Sequence, residues 1–391
     1  MSGSRHEWQK PFRACIWVAV PLKMNYVINQ HDLAEGRFMG RTLLASFVLF
    51  LSFCLAQAGA QEKLDRDKLL FYQDGAGKIQ PVKSVADWEK RKTSIFAAMQ
   101  TIMGPMPGKD KRCPLDIKVT EEVDCGKYTR QLISFQSEPG MRTPAYLLIP
   151  KMPDNKGKYP AVLSLHPTNA KGFRVTVGLA ETMNREYGVE LAERGYVVIA
   201  PPYPQLADYH PDLKKLGYES GTMKAIWDNM RAMDVLDSLP FVAKGRYAAI
   251  GHSLGGHNAI YTAAFDERLK ISVTSCGLDS YRDYMKGKIK GWTSDRYMPK
   301  LLNYADKLDQ VPFDFGEILG VLAPRHVHIV APKKDSNFRW ESATKVARSA
   351  AEVYKFYGAQ KNLCIDHPDC EHVFPPEMRV KAYKMIDEVL R

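Results

Sequence analysis

The stretch Tyr247-Ala248-Ala249-Ile250-Gly251-His252-Ser253-Leu254-Gly255-Gly256-His257-Asn258-Ala259-Ile260-Tyr261 decides how the chain is read. Its first four residues are an apolar run of strand type and its last four favour a helix, so the backbone must turn from strand to helix within Gly251 to Gly255. A turn that sharp puts its central residue, Ser253, in a strained conformation that persists only where the surroundings enforce it. Glycines at 251 and 255 let strand and helix approach without a side-chain clash. The hydroxyl is left exposed at the carboxyl end of a sheet, beside a helix N-terminus whose N–H groups favour negative charge. An incidental serine in a glycine-rich turn is the bland alternative, and both flanks argue against it.

Outward from this turn, apolar strands alternate with helices. The pattern predicts strands at Ala161 to Leu165, Tyr196 to Ala200, Ile271 to Ser275, His326 to Ala331 and Asn362 to His367. Helices are expected near 178–194, 222–239, 341–357 and 376–390. Strand, helix, strand in succession implies an α/β fold with a mostly parallel central sheet covered on both faces. Ile117 to Val123, Tyr128 to Phe135 and Ala145 to Ile149 are short β-branched runs separated by Gly and Pro turns, the antiparallel beginning of that sheet. Residues 61–115 read as an N-terminal helical cap, with Trp88, Ile95, Phe96 and Met99 on one helical face, and 116–391 as the catalytic domain. Residues 280–325 are too long for a connector and read as an inserted lid over the site.

A serine hydroxyl needs a base within hydrogen-bond reach and a third group to orient that base. The order serine, acid, histidine selects Asp335, just past the strand His326 to Ala331, and His372, in the loop after the last strand. Asp366 and Asp369 are rival acids, and His367 is a rival base expected to pack in its strand. His326 and His328 read as structural, while His252 and His257 read as shaping the pocket. An oxyanion needs two N–H donors. One is expected from Leu254 and the other from the loop after Leu165, at Thr168 with Asn169 as the alternative. Trp292, Tyr297 and Trp340 are the expected substrate contacts. His367, Asp369, Cys370, Glu371 and His372 cluster in sequence, but matching ligands do not recur at a recognised metal spacing, so neither metal nor cofactor is expected.

The 391 residues are 45% apolar and 25% charged, ordinary for a globular protein. The surplus of 55 Lys and Arg over 44 Asp and Glu, +11, is spread along the chain, and without a clustered basic face or reader motif no nucleic-acid partner is expected. Arg37 and Arg41 precede the apolar run Leu43 to Leu55, followed by small residues at Ala56 to Ala60, the layout of a secretory signal peptide. The run is shorter than the roughly 18 to 20 residues that cross a bilayer, so a secreted or periplasmic protein with no membrane span after cleavage is expected. Residues 1–60 thus form an N-terminal extension and signal peptide, with translation expected to start at Met39 or Met24. Cleavage would leave Cys113, Cys125, Cys276, Cys364 and Cys370, whose pairing the sequence does not fix.

From about Ala145 to Arg391 the chain resembles the secreted bacterial α/β-hydrolases of the dienelactone-hydrolase-like, acetyl-xylan-esterase and prolyl-oligopeptidase-like branch. The resembling stretches are Gly251 to Asn258, Gly291-Trp292-Thr293-Ser294-Asp295-Arg296-Tyr297, Asp335-Ser336-Asn337-Phe338, and Pro368-Asp369-Cys370-Glu371-His372. The resemblance implies ester or peptide hydrolysis through Ser253, Asp335 and His372. Dienelactone hydrolases carry cysteine where Ser253 stands, glucuronoyl esterases carry arginine where Leu254 stands, and prolyl oligopeptidases need a propeller for which this N-terminus is too short. The leading expectation is an acyl-enzyme esterase acting on a small-molecule or carbohydrate ester. A serine peptidase and a noncatalytic binding protein of the same fold are the alternatives.

Overall fold

A computed structural model describes residues 64–151, 158–180, 182 and 184–391. The expected signal peptide and start sites lie outside these. The chain begins with a small hairpin, β1 (Phe71–Gln73) and β2 (Ile79–Pro81), then the long helix α1 (Val85–Met103). Ser84 caps α1 by accepting the Asp87 N–H, offsetting one of the donors a helix start leaves unpaired. Trp88, Ile95 and Met99 are buried in the main hydrophobic core, and the Arg91–Glu317 ion pair ties α1 to the body. The buried face of α1 is therefore part of the core.

Among the described residues the main sheet has nine strands. In chain order these are β3 (Lys118–Asp124), β4 (Tyr128–Glu138), β5 (Met141–Pro150), β6 (Tyr159–Leu165), β7 (Val197–Ala200), β8 (Val242–His252), β9 (Leu269–Ser275), β10 (His326–Val330) and β11 (Leu363–Asp366). In space the order is β3-β4-β5-β7-β6-β8-β9-β10-β11. The edge from β3 through β5 to β7 is antiparallel and every pairing from β7 to β11 is parallel. After β6 the chain steps to β7 on one side and then to β8 on the other, which opens a crevice at the carboxyl ends of β6 and β8. The central strands are buried on both faces, as a sheet covered by helices requires. Those helices are α2 (Tyr187–Glu193), α3 (Gly221–Ser238), α4 (Leu254–Phe265), α5 (Phe315–Leu322), α6 (Trp340–Phe356) and α7 (Pro376–Leu390).

Two expectations change. Of the helix expected near 178–194, the described residues form the short α2, Tyr187–Glu193, and a 3-10 segment, Gly172–Val177, precedes that span. The segment 280–325 is also only partly an excursion. It runs through four 3-10 turns into α5, all of whose residues are buried, with Val311 and Phe313 fully covered. Ile289, Trp292, Met298, Leu301, Val311 and Phe313 are part of the main core, whereas Met285 and Leu302 are exposed.

An ionic group inside the molecule ties β4 to α3. Lys224, fully buried, lies 2.6 Å from Asp228 and 2.8 Å from Glu138. Tyr209 donates to Asp228 at 2.7 Å, Tyr218 donates to Glu138 at 3.1 Å, and Lys111 pairs with the second Glu138 oxygen at 2.7 Å. Burial alone would raise the Glu138 carboxyl, but Lys224 and Lys111 outweigh it and hold the group below the usual range. Removing the ammonium would leave two carboxylates under-compensated out of water. Lys224→Met is expected to destabilise the fold by about 3–5 kcal/mol, read as a fall in the urea midpoint. A midpoint equal to that of the wild type would mean that the apolar chain replaces the ion without cost.

Candidate active site

Ser253 follows β8 and holds the N-cap position of α4 at φ 55° and ψ −120°, a left-handed backbone that a side chain adopts only under constraint. The glycines around it leave no room for a Cβ. One on Gly251 would stand 2.1 Å from the Gly255 carbonyl carbon, and one on Gly255 would stand 2.0 Å from the Leu165 oxygen. The Ser253 N–H donates to the Ser275 carbonyl at 2.7 Å, which fixes the turn against β9. Leu254 opens α4, so its N–H is one of those a helix leaves without an intrahelical acceptor. Below the turn, Asn229 of α3 donates to Asn258 at 2.9 Å and to Thr262 at 2.8 Å, locking α4 in place.

Ser253 borders a cavity of about 350 Å³ at the carboxyl ends of the parallel strands. Pro167, Thr168 and Asn169 from the loop after β6 form one wall, Thr182 and Arg185 another, and His252 and His372 complete it. His372 Nδ1 lies 2.9 and 3.0 Å from the two oxygens of Asp335, whose side chain is 1% exposed. One of those oxygens also accepts the N–H groups of Asn337 at 2.8 Å and Phe338 at 3.1 Å. Burial would raise the Asp335 carboxyl, but the His372 bond and charge together with these two amides hold it below the usual range. It therefore stays ionised and acts as acceptor for the imidazole N–H. The His372 ring lies between Phe338, stacked at 5.9 Å, and His252, tilted at 4.9 Å. Two neighbours thus limit its rotation.

The rival groups are engaged elsewhere. Asp366 binds His328 Nε2 at 2.7 Å and Lys381 at 2.7 Å, and the His328 hydrogen bond is the main reason its carboxyl falls to about 2. Asp369 pairs with Lys334 on the surface. His367 bonds the Ala331 carbonyl and Thr344, under the Trp340 ring at 5.0 Å. All five described cysteines are free. Cys276, at the end of β9 with φ 51°, is buried, and its thiol and the Asp335 and His372 ligand atoms lie within 4.8 Å of one another. Burial, then the Asp335 charge, push that thiol well above its ordinary value, so it stays protonated and inert beside the pair.

The expected substrate aromatics are not on the cavity wall. Trp292 is buried, with Tyr297 beside it at 5.2 Å and His257 at 4.7 Å, and Tyr297 also packs against Tyr203 and Leu254. Trp340 faces His367 on α6. These large apolar rings are worth more as core than as an open platform. His257 is likewise not a pocket residue, since it is fully buried among Tyr261, Trp292 and Phe315. The two residues that sequence reasoning missed or underused are Arg185 and His166. Arg185 sits on irregular chain with no motif to mark it. His166 Nε2 accepts the Tyr203 N–H at 3.0 Å, so Nδ1 carries the proton and donates to Pro167 O at 2.9 Å, bracing the loop that bears Thr168.

Buried imidazoles also set the acid stability. Burial pushes His166 down to about 4 and His257 down to about 3, and among the described residues neither His257 nitrogen has a hydrogen-bond partner. Below about 6.5 the unfolded chain takes up protons that the folded one refuses, so stability present at neutral pH is lost as the pH falls from about 6.5 toward 4. His257→Phe is expected to shrink the loss between pH 7 and 5 by about 2 kcal/mol, measured by urea unfolding at both values. An undiminished loss would move the cause away from this imidazole.

Comparison with known proteins agrees with the geometry. Residues 211–358, less than half of the chain, match the family model "Glucuronyl esterase, fungi", a span that includes Ser253 and Asp335 but ends before His372. YtaP of Bacillus subtilis (strain 168), a hydrolase by name, is 28% identical over 235 residues, 56% of this chain and 74% of that one. A glucuronoyl esterase from Solibacter usitatus superposes with a TM-score of 0.67 at 18% identity, over 84% of this chain and 98% of that one. A carbohydrate esterase family 15 glucuronoyl esterase from Caldicellulosiruptor kristjansonii gives 0.60 at 20%, over 85% and 91%. At these identities the structural matches speak to the fold. They show an α/β-hydrolase fold, in agreement with the strand order, and the family-model match and the hydrolase relative, taken with the turn at Ser253, support an enzyme of the serine-hydrolase kind.

Proposed function

We propose that the protein hydrolyses carboxylic esters of carbohydrates through an acyl-enzyme on Ser253. The observation that supports this most is that Ser253 and His372 border one cavity while Asp335 binds the far nitrogen of the same imidazole. In this reading the Ser253 oxygen attacks the ester carbonyl as His372 Nε2 takes its proton. The oxyanion gathers at the N–H groups of Leu254 and Thr168. Collapse expels the alcohol, which receives the proton from His372, and a water activated by the same imidazole then releases the acid. The carbohydrate part draws on the match to the glucuronyl esterase model and on the likeness to glucuronoyl esterases. Leu254 stands where those enzymes carry arginine, so the acyl group is left open within the uronate and acetate esters.

We further read the protein as working outside the cytoplasm, from the apolar run Leu43 to Leu55 and the small residues after it. Among the described residues no helix is long and apolar enough to cross a membrane. A panel of acetylated sugars, methyl glucuronate, p-nitrophenyl acetate and aminoacyl anilides tests the reaction class. Ester turnover with inert anilides is the expected result, and anilides cleaved as fast as esters would replace this reading with a peptidase.

A further inference from the structure

Among the described residues that line the cavity, Arg185 carries the permanent charge and none is a carboxylate. Its guanidinium donates to the His372 carbonyl at 3.2 Å and to the Asn184 carbonyl at 3.2 Å. Among the described residues it makes no ion pair, although Arg379, farther along the same side, is neutralised by Glu190 at 2.9 Å. Two neutral carbonyls occupy only part of a five-donor fork. Burial lowers the Arg185 pKa, a sign that the head is partly withdrawn from water. Its described neighbours include Tyr187, Cys276, Arg379 and the imidazoles of His252 and His372, and His252 is held neutral by burial and by the Arg185 charge. A partly desolvated cation with no acid paired to it among the described residues is costly to keep, and an incoming anion would offset that cost.

We propose that Arg185 forms an anion subsite, so that preferred substrates are esters carrying a second, ionised carboxylate. This rests on the reading of Ser253 as the nucleophile, because the subsite is defined by sharing its cavity. Guanidinium and carboxylate match as a two-bond pair, which gives orientation as well as attraction. Held by Arg185, such a substrate is anchored within the cavity that the Ser253 hydroxyl borders.

The test compares p-nitrophenyl acetate with p-nitrophenyl hemisuccinate in the wild type, Arg185→Gln and Arg185→Lys. The wild type is expected to favour the hemisuccinate in kcat/KM, mainly through KM. The ratio should fall by about ten- to a hundredfold in Arg185→Gln and be partly kept in Arg185→Lys, which retains the charge but not the fork. An unchanged ratio across the three proteins overturns the subsite and leaves ester hydrolysis standing. Binding to Ser253→Ala removes any dependence on turnover. Monomethyl succinate is expected to bind at least about tenfold more tightly than dimethyl succinate. Equal affinities overturn the subsite whatever the fate of the proposed reaction.

Discussion

Ser253→Ala is expected to lower turnover of p-nitrophenyl acetate by about a millionfold, with the folded protein otherwise unchanged. The loss is that large because the hydroxyl is the atom that forms the acyl bond, and nothing else in the cavity can replace it. The Cys276 thiol, beside Asp335 and His372, is buried and kept protonated. Alanine fits the φ of 55° no worse than serine does, so the turn should survive, and an unaltered urea midpoint would show it. The residual rate should still exceed the uncatalysed one by about a thousandfold, from the oxyanion donors and substrate binding alone. Retention of more than about a tenth of the activity would mean that the acyl group never resides on this residue.

The second large effect is expected at the acid. Asp335→Asn should reduce kcat by about ten-thousandfold without disturbing the loop. One Asp335 oxygen is already fixed by the Asn337 and Phe338 amides, so the amide oxygen of an asparagine would take that place. Its NH2 group would then face His372 Nδ1, which must accept instead of donate. The imidazole proton moves to Nε2, the nitrogen that has to receive the serine proton, and the base is blocked. Equal activity in the variant and the wild type would transfer the orienting role to another carboxylate. Asp366, held by His328 and Lys381, would have to abandon both to take it.

The parts of this site that the sequence displayed are those governed by local geometry. Gly251 and Gly255 report a strand and helix too close for a Cβ, and the distances of 2.1 and 2.0 Å show why no other residue fits. Chain order places Asp335 and His372 after successive parallel strands, β10 and β11, because a parallel sheet returns every strand to the same end. Hydrophobic pattern alone could not tell whether Trp292 and Tyr297 would face a ligand or a core, since the same rings suit both. Trp292 is buried in the core that α5 helps to close, and Tyr297 is half-buried against it. Arg185 was illegible for the opposite reason. It lies on irregular chain between a 3-10 turn and α2, where no periodicity shows which way a side chain points.

The 178–194 region also shows how tertiary context overrides propensity. Residues there could extend a helix, yet Gly178 adopts φ 74° and ends the preceding turn, and only Tyr187–Glu193 continues as α2. Thr182 and Arg185, which precede α2, line the cavity wall. A regular helix over the whole stretch would have carried that charge elsewhere.

The most direct test is covalent labelling with a fluorophosphonate followed by peptide mapping. One phosphonyl group per chain is expected, carried by the peptide containing Ser253, with labelling abolished in Ser253→Ala and strongly slowed in Asp335→Asn. A protein that cleaves esters at full rate while Ser253 stays unlabelled, or that carries the adduct on a different residue, would contradict it.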